Sequence, residues 1–203
     1  MAPPFRIGLM QLTMEPLGEM LETARTLDQA GLDTIWLAEA YPWWRKHGME
    51  AKSSTVLSAL MARETERLTI GWGIISPYTR HPVQVAMDAR VVQEAAGPGR
   101  FIVGFGTSKI FLNNTKQSGP PNVTRPLGHM RDSVAIVRGA FSGNRFEYDG
   151  KVFSADLPAI SRAPSRPTPR SLAWIDATMV QPTSTSSPLR PPFAAPFATF
   201  SRV

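Results

Sequence analysis

The chain contains no cysteine. Disulfides, thiolate metal sites and cysteine nucleophiles are therefore excluded, and imidazole chemistry is confined to three histidines, His47, His81 and His129, too few to suggest a metal centre. A run of 18 or more apolar residues is also missing, so neither a membrane-spanning helix nor a membrane partner is expected. The first residues, MAPPFRIGLMQL, lack a basic segment followed by an apolar one with a small-residue cleavage site, which points to the cytoplasm. Glycine-rich phosphate cradles are absent as well. Neither a G-x-G-x-x-G run nor a P-loop opens the first helical stretch.

A strong charge imbalance within the folded part is lacking too. The net charge of +6 comes from 22 Lys and Arg against 16 Asp and Glu, but residues 1–154 hold 17 against 14 and residues 155–203 hold 5 against 2. Half of the excess thus falls in the last quarter. Its arginines, Arg162, Arg166, Arg170, Arg190 and Arg202, are scattered without interleaved aromatics, so no nucleic-acid partner is expected.

What the chain does hold is a regular alternation. FRIGLMQL (5–12) reads as a short apolar strand, and PLGEMLETARTLDQAG places Leu17, Leu21, Ala24, Leu27 and Ala30 on one helical face with Gly31 as its left-handed stop. LDTIWLAE follows as a second strand. SSTVLSALMARETERL reads as a helix capped by Ser53 or Ser54, and LTIGWGII as a third strand. HPVQVAMDARVVQEAAG is a helix opened by Pro82, and RFIVGFG a fourth strand. A helix over about 126–141 presents Leu127, Met130, Val134, Val137 and Phe141 as one stripe, and RFEYDGKVFS is a hairpin turning on Asp149-Gly150. Near-continuous apolar strands alternating with helices predict an α/β fold with a parallel sheet. Four such units make half of a (β/α)8 TIM barrel or one wing of a doubly wound sheet.

The ends of the strands favour the barrel. Polar and glycine-containing segments sit at the C-terminal ends of strands two, three and four, LAEAYPWW, GIISPYTRHP and GFGTSKIFLNN, which in a barrel form the active-site face. Glycine in a strand costs stability, so Gly71 and Gly73 mark either a ligand's close approach or a place where a neighbouring side chain packs tightly. Arg80 and His81, just before Pro82, are either functional or anchors for the helix start. Trp43 and Trp44 either wall a substrate pocket or cover the barrel mouth.

Taken in order, these three segments, with the GHMRDSVAIVRGAFSG helix and the EYDGKVFS hairpin, resemble the bacterial-luciferase-like superfamily of flavin and deazaflavin oxidoreductases. They are most similar to its branch that uses coenzyme F-420 (F420), an 8-hydroxy-5-deazaflavin. The resemblance covers about residues 5–158. It implies a partial (β/α)8 barrel, an oxidoreductase activity on a small-molecule substrate by hydride transfer or monooxygenation, and F420 as cofactor with FMN as the alternative. It also implies a bulge with a non-proline cis peptide at Gly73-Ile74, backing the cofactor ring. Glu39, Ser76, Thr107 and Ser108 match positions that contact the cofactor; their ordinary alternatives are loop, turn and cap duties. In the sugar-phosphate dehydrogenases of this superfamily a histidine and a glutamate assist catalysis where this chain has Ala40 and Lys109. That speaks against the sugar-phosphate reaction and leaves no catalytic residue assigned.

Past Ser154 the texture changes, with nine of the 19 prolines and several Ser/Thr runs. Residues 1–158 are expected to form the partial barrel and 159–203 a disordered tail with no fifth strand, in the manner of a frameshifted reading frame. A non-catalytic half-barrel remnant, or a partner-dependent binding module, is the alternative to an enzyme. Open strand edges favour pairing with another chain, including a homo-oligomer.

Overall fold

The computed structural model describes residues 5–39, 48, 50–107 and 125–160, and the backbone of 175–176. Four strands, β1 (Gly8–Leu12), β2 (Thr34–Ala38), β3 (Thr69–Trp72) and β4 (Phe101–Ile102), form one sheet in the order β1-β2-β3-β4, every pair parallel. Between them run helices α1 (Leu17–Gln29), α2 (Ser54–Glu64) and α3 (Pro82–Ala96). A strand β5 (Gly104–Phe105) continues from β4, and α4 (Pro126–Ser142) leads into an antiparallel hairpin of β6 (Phe146–Asp149) and β7 (Ser154–Leu157). This is the expected α/β succession of strand and helix units.

The two faces of the sheet differ. Ile35, Leu37, Ile70, Trp72, Phe101 and Phe105 are at most 1% exposed and pack under the helices with Met20, Ala24, Leu57, Met61, Val85, Ala89 and Val92. The opposite face carries Met10, Trp36, Gly71 and Ile102 in register, and of these Met10 is 47% exposed. Helices cover one side only, as right-handed crossovers between parallel strands require.

Local signals set the helix ends. Gly31 has a φ of 79° after α1, Pro82 opens α3, and the His81 side chain caps α3 by accepting from Val83 N–H at 3.3 Å. Ser53 stands at the N-cap of α2, but its hydroxyl pairs with Thr55 Oγ1 instead of a backbone N–H. On α1 the buried positions are Met20, Ala24 and Asp28, with Leu21 and Leu27 only partly buried, while Leu17 and Ala30 are exposed. The stripe is rotated from the expected one because α1 seats a carboxylate instead of a further leucine. Asp28 accepts three backbone hydrogen bonds, from Glu66 (2.9 Å), Arg67 (2.9 Å) and Leu68 (2.6 Å), and so fastens α1 to the turn that feeds β3. On α4, Leu127 is exposed, and Asp132 is buried beside the stripe.

At the N-terminal end of the strands, Arg100 ties the helix ends together. It donates to the carbonyls of Ala96 (2.6 Å) and Ala62 (3.1 Å), satisfying acceptors that a helix leaves unpaired at its C-terminus, and to that of Leu68 (3.3 Å) in the turn before β3. Arg90 likewise donates to the Ala140 carbonyl and lies over the Phe141 ring, joining α3 to α4. The sequence gives no fifth strand after residue 159. The structure places a two-residue strand there, β8 (Ile175–Asp176), parallel to β5. Two residues between proline-rich and serine-rich stretches carry no periodicity from which to read a strand.

Candidate functional site at the strand ends

Gly71 and Gly73 are explained first by a neighbour in the sheet. Trp36, opposite Gly71 in register, lies across both, and a Cβ on Gly71 would collide with its indole ring; one on Gly73 would sit 3.3 Å from the same ring. Gly73 N–H still bonds to the Leu37 carbonyl at 2.9 Å, after which the Gly73-Ile74 peptide is cis. Ile75 then pairs on the other side, its N–H donating to the Gly104 carbonyl (2.8 Å) while its carbonyl accepts from Gly106 N–H (3.2 Å). The chain therefore leaves β2 and joins β5 within two residues, which is the bulge implied by the resemblance.

That step forms a small shelf. Trp72, Ile75 and Ser76 are 0% exposed, whereas Gly73 and Ile74 between them are half-exposed. Ile74 leans over Gly106, where a Cβ would stand 2.9 Å from Ile74 Cγ1. Thr107 is half-buried just beyond. A flat, partly apolar ring can rest on such a surface, because the Gly73–Ile74 step stays partly exposed while Trp36 and Ile74 fill the space beside Gly73 and Gly106.

Beside the shelf, SPYT forms a turn with Pro77 at its second position. Thr79 N–H and Oγ1 both donate to the Ser76 carbonyl (3.3 and 3.0 Å), and Ser76 Oγ accepts from Tyr78 N–H at 3.3 Å. Arg80 then reaches across to β2. Its Nη1 and Nη2 donate to Glu39 Oε2 (2.9 Å) and Oε1 (2.6 Å), and Nη1 also meets Thr79 Oγ1 at 3.3 Å. The Glu39 side chain is 6% exposed and that of Arg80 20%, so this fork-to-fork pair is shielded from solvent. Glu39, Thr79, Arg80 and Ser76 are thereby joined in one network, and Ser76 does the turn duty that its residue type allows. His81, the cap of α3, belongs to a neighbouring ring cluster. It meets Phe153 edge-on at 5.4 Å, Phe153 meets His129 at 5.4 Å, and His129 meets Tyr78 at 4.9 Å. Burial pushes the Tyr78 hydroxyl above its ordinary pKa, so it stays protonated near neutral pH.

The hairpin is held against α4 by Asp132. Its carboxylate accepts from Tyr148 O–H (2.8 Å), Val152 N–H (2.7 Å) and Phe153 N–H (3.1 Å). Burial alone pushes this carboxyl up, but the donors from Phe153, Tyr148 and Val152 outweigh it and hold the pKa below the usual range. The hairpin loop runs over Gly150–Phe153, closed by Gly150 N–H to the Phe153 carbonyl at 3.0 Å, so the turn is longer than Asp149-Gly150 alone.

Of the residues singled out in the sequence, Glu39, Gly73, Ile74, Ser76 and Thr107 lie at the C-terminal ends of β2, β3 and β5. Ser108, Ala40, Trp43, Trp44 and Lys109 lie outside the described residues. Sequence reasoning missed Trp36, whose signal was a large residue opposite a glycine on neighbouring strands, and it missed the pairing of Glu39 with Arg80. Among the described residues no group of three or more His, Asp or Glu could hold a metal ion, and no helix is long and apolar enough to cross a membrane.

Comparison with known proteins bears on this arrangement. Residues 1–184 match the family model described as luciferase-like monooxygenase. An F420-dependent glucose-6-phosphate dehydrogenase of Rhodococcus erythropolis is 26% identical over 178 residues, covering 85% of this chain and 52% of its own length. Among solved structures, a coenzyme F420-dependent tetrahydromethanopterin reductase of Methanopyrus kandleri superposes with a TM-score of 0.64 at 21% identity, over 78% of this chain and 46% of that one. The oxygenating constituent of 3,6-diketocamphane monooxygenase of Pseudomonas putida, solved in complex with FMN, superposes with a TM-score of 0.61 at 18% identity, over 75% and 44%. The chain spans about half the length of the curated relatives it matches.

Proposed function

This chain belongs to the luciferase-like monooxygenase family, and from that premise we propose that it is a deazaflavin- or flavin-dependent oxidoreductase whose cofactor ring rests on the shelf of Gly73 and Ile74. The observation that carries this reading is the half-exposed step between the fully buried Trp72 and Ile75, at the end of the strands where barrel enzymes hold their ligands. Thr107 borders the ring in this reading, with the Ser76 turn beneath and Glu39 behind it, and Ser108 is assigned to the cofactor on its sequence match alone. Bound there, the cofactor supplies the redox chemistry, and the protein's part is to position and shield it.

With both carboxylate oxygens taken by Arg80, Glu39 serves to hold the loop after β3 in place. F420 is the preferred cofactor on the strength of the SPYTRHP and GFGTSK segments and of the dehydrogenase relatives; FMN is the alternative, supported by the FMN-bound neighbour in fold. The substrate is a small organic molecule, oxidised or reduced by hydride transfer or monooxygenated. A sugar phosphate is disfavoured by Ala40 and Lys109.

A second reading, a binding module that works only with a partner, draws on β1. Leu9 is 39% and Leu12 46% exposed on opposite faces of that strand.

Titrating the purified chain with F420 and separately with FMN, while following ligand absorbance and fluorescence, tests the enzyme reading. Weak but saturable binding is expected, with F420 the tighter of the two. A chain that is folded by circular dichroism yet binds neither would overturn it.

A further inference from the structure

Trp36 stands on the face of the sheet turned away from the helices. Its neighbours along β2, Ile35 and Leu37, are fully buried under the helices, whereas Trp36 points the other way and is half-buried. The indole lies across three strands. Toward β1, its Nε1 stands 3.3 Å from where a Cβ on Gly8 would be; toward β3, its carbon Cε3 takes the place of a Gly71 side chain and lies 3.3 Å from where a Cβ on Gly73 would be. One ring thus meets three positions that carry no side chain.

The Gly73–Ile74 step depends on that ring for its height. On one side Gly73 N–H is tied to the Leu37 carbonyl at 2.9 Å; on the other, Ile75 is tied to Gly104 at 2.8 Å and to Gly106 at 3.2 Å. These bonds run in the plane of the sheet and fix where the step lies within it, not how far it stands out. The height is set by what packs beneath, the indole under Gly73 and the bare Gly106 under Ile74. Close-packed neighbours leave no slack, so a smaller residue at position 36 lets the step sink, and a side chain at position 73 presses on the indole and lifts it. We propose that Trp36 is a positioning residue for the cofactor, acting through Gly73 to hold the seat of the ring at its working height. This rests on the reading of the Gly73–Ile74 step as that seat.

F420 affinity, followed by ligand fluorescence, and thermal melts of the same variants test it. Trp36→Leu is expected to weaken binding about tenfold, and Trp36→Phe, which keeps a ring in the sheet, about threefold. Met10→Leu, on the same face of β1, should leave the affinity within about twofold. Gly73→Ala should weaken binding about tenfold by crowding the indole. Trp36→Leu then makes room for the added methyl, so the double variant should bind no worse than Gly73→Ala alone. A residue that only fills space would lower the melting temperature and leave the affinity of the folded chain as it was. That result, or losses that multiply in the double variant, would overturn the proposal while leaving the seat in place. Wild type that binds neither F420 nor FMN would overturn the seat, and this proposal with it.

Discussion

Replacing Asp28 with alanine is expected to cost about 2 to 4 kcal/mol of folding stability, because one buried and two part-buried backbone N–H groups lose this acceptor at about 1 to 3 kcal/mol for the buried one and less for the others. Those groups belong to Glu66, Arg67 and Leu68, in the turn that delivers β3 to the sheet. Asp28→Asn should cost less, since Oδ1 can still serve Arg67 and Leu68 and only the contact to Glu66 is lost. Burial raises the Asp28 pKa, but the three N–H donors more than reverse this and leave it below the usual carboxylate range. A depressed carboxylate contributes stability that is complete above its unfolded pKa, about 3.9, and is lost as the pH falls through the folded value. Urea denaturation between pH 7 and pH 2 should therefore show wild-type stability dropping in the acid range, with a smaller drop in Asp28→Asn. Equal stability of wild type and Asp28→Ala at pH 7 would show that the turn is held by something else.

A comparable loss, about 3 kcal/mol or more, is expected for Gly104→Ala, a change of one methyl group. The added Cβ would drive into the backbone carbonyl oxygen of Trp72, closer than side chains approach any backbone atom. Neither side can yield cheaply. Trp72 is fully buried, its indole N–H donates to Ser58 at 2.9 Å, and its ring meets Phe101 edge-on at 4.9 Å. Gly18→Ala is the control: nothing lies within 4 Å of the new atom, and the change should be neutral or stabilise α1 by up to about 1 kcal/mol. Thermal melts of the two variants should move in opposite directions or differ by several degrees. Gly104→Ala melting with wild type would mean that β3 and β5 are not so closely applied.

The contrast between these positions and the legible parts of the chain is physical. Pro82, Gly31 and the apolar runs of β2 and β3 announced their elements because backbone preference and burial act within a few residues. Asp28 and Asp132 were silent because their donors come from backbone 38 to 40 residues away in one case and from a hairpin loop in the other. Nothing local distinguishes such a carboxylate from a solvated one. Glu39 and Arg80 were each noticed alone, but their pairing needs β2 and the loop after β3 side by side, which only the parallel register supplies. The paired glycines were ambiguous for the same reason. Gly71 and Gly73 answer to Trp36 within the sheet and Gly106 to Ile74, and the partly exposed step from Gly73 to Ile74 is the shelf on which the proposed ring lies.

Hydrogen–deuterium exchange with and without F420 measures that shelf directly. The account predicts slower exchange on ligand addition at Ile74–Ser76 and Gly106–Thr107, with α1 and the β6–β7 hairpin unchanged. Saturable binding that protects some other surface and leaves these amides as they were would contradict it.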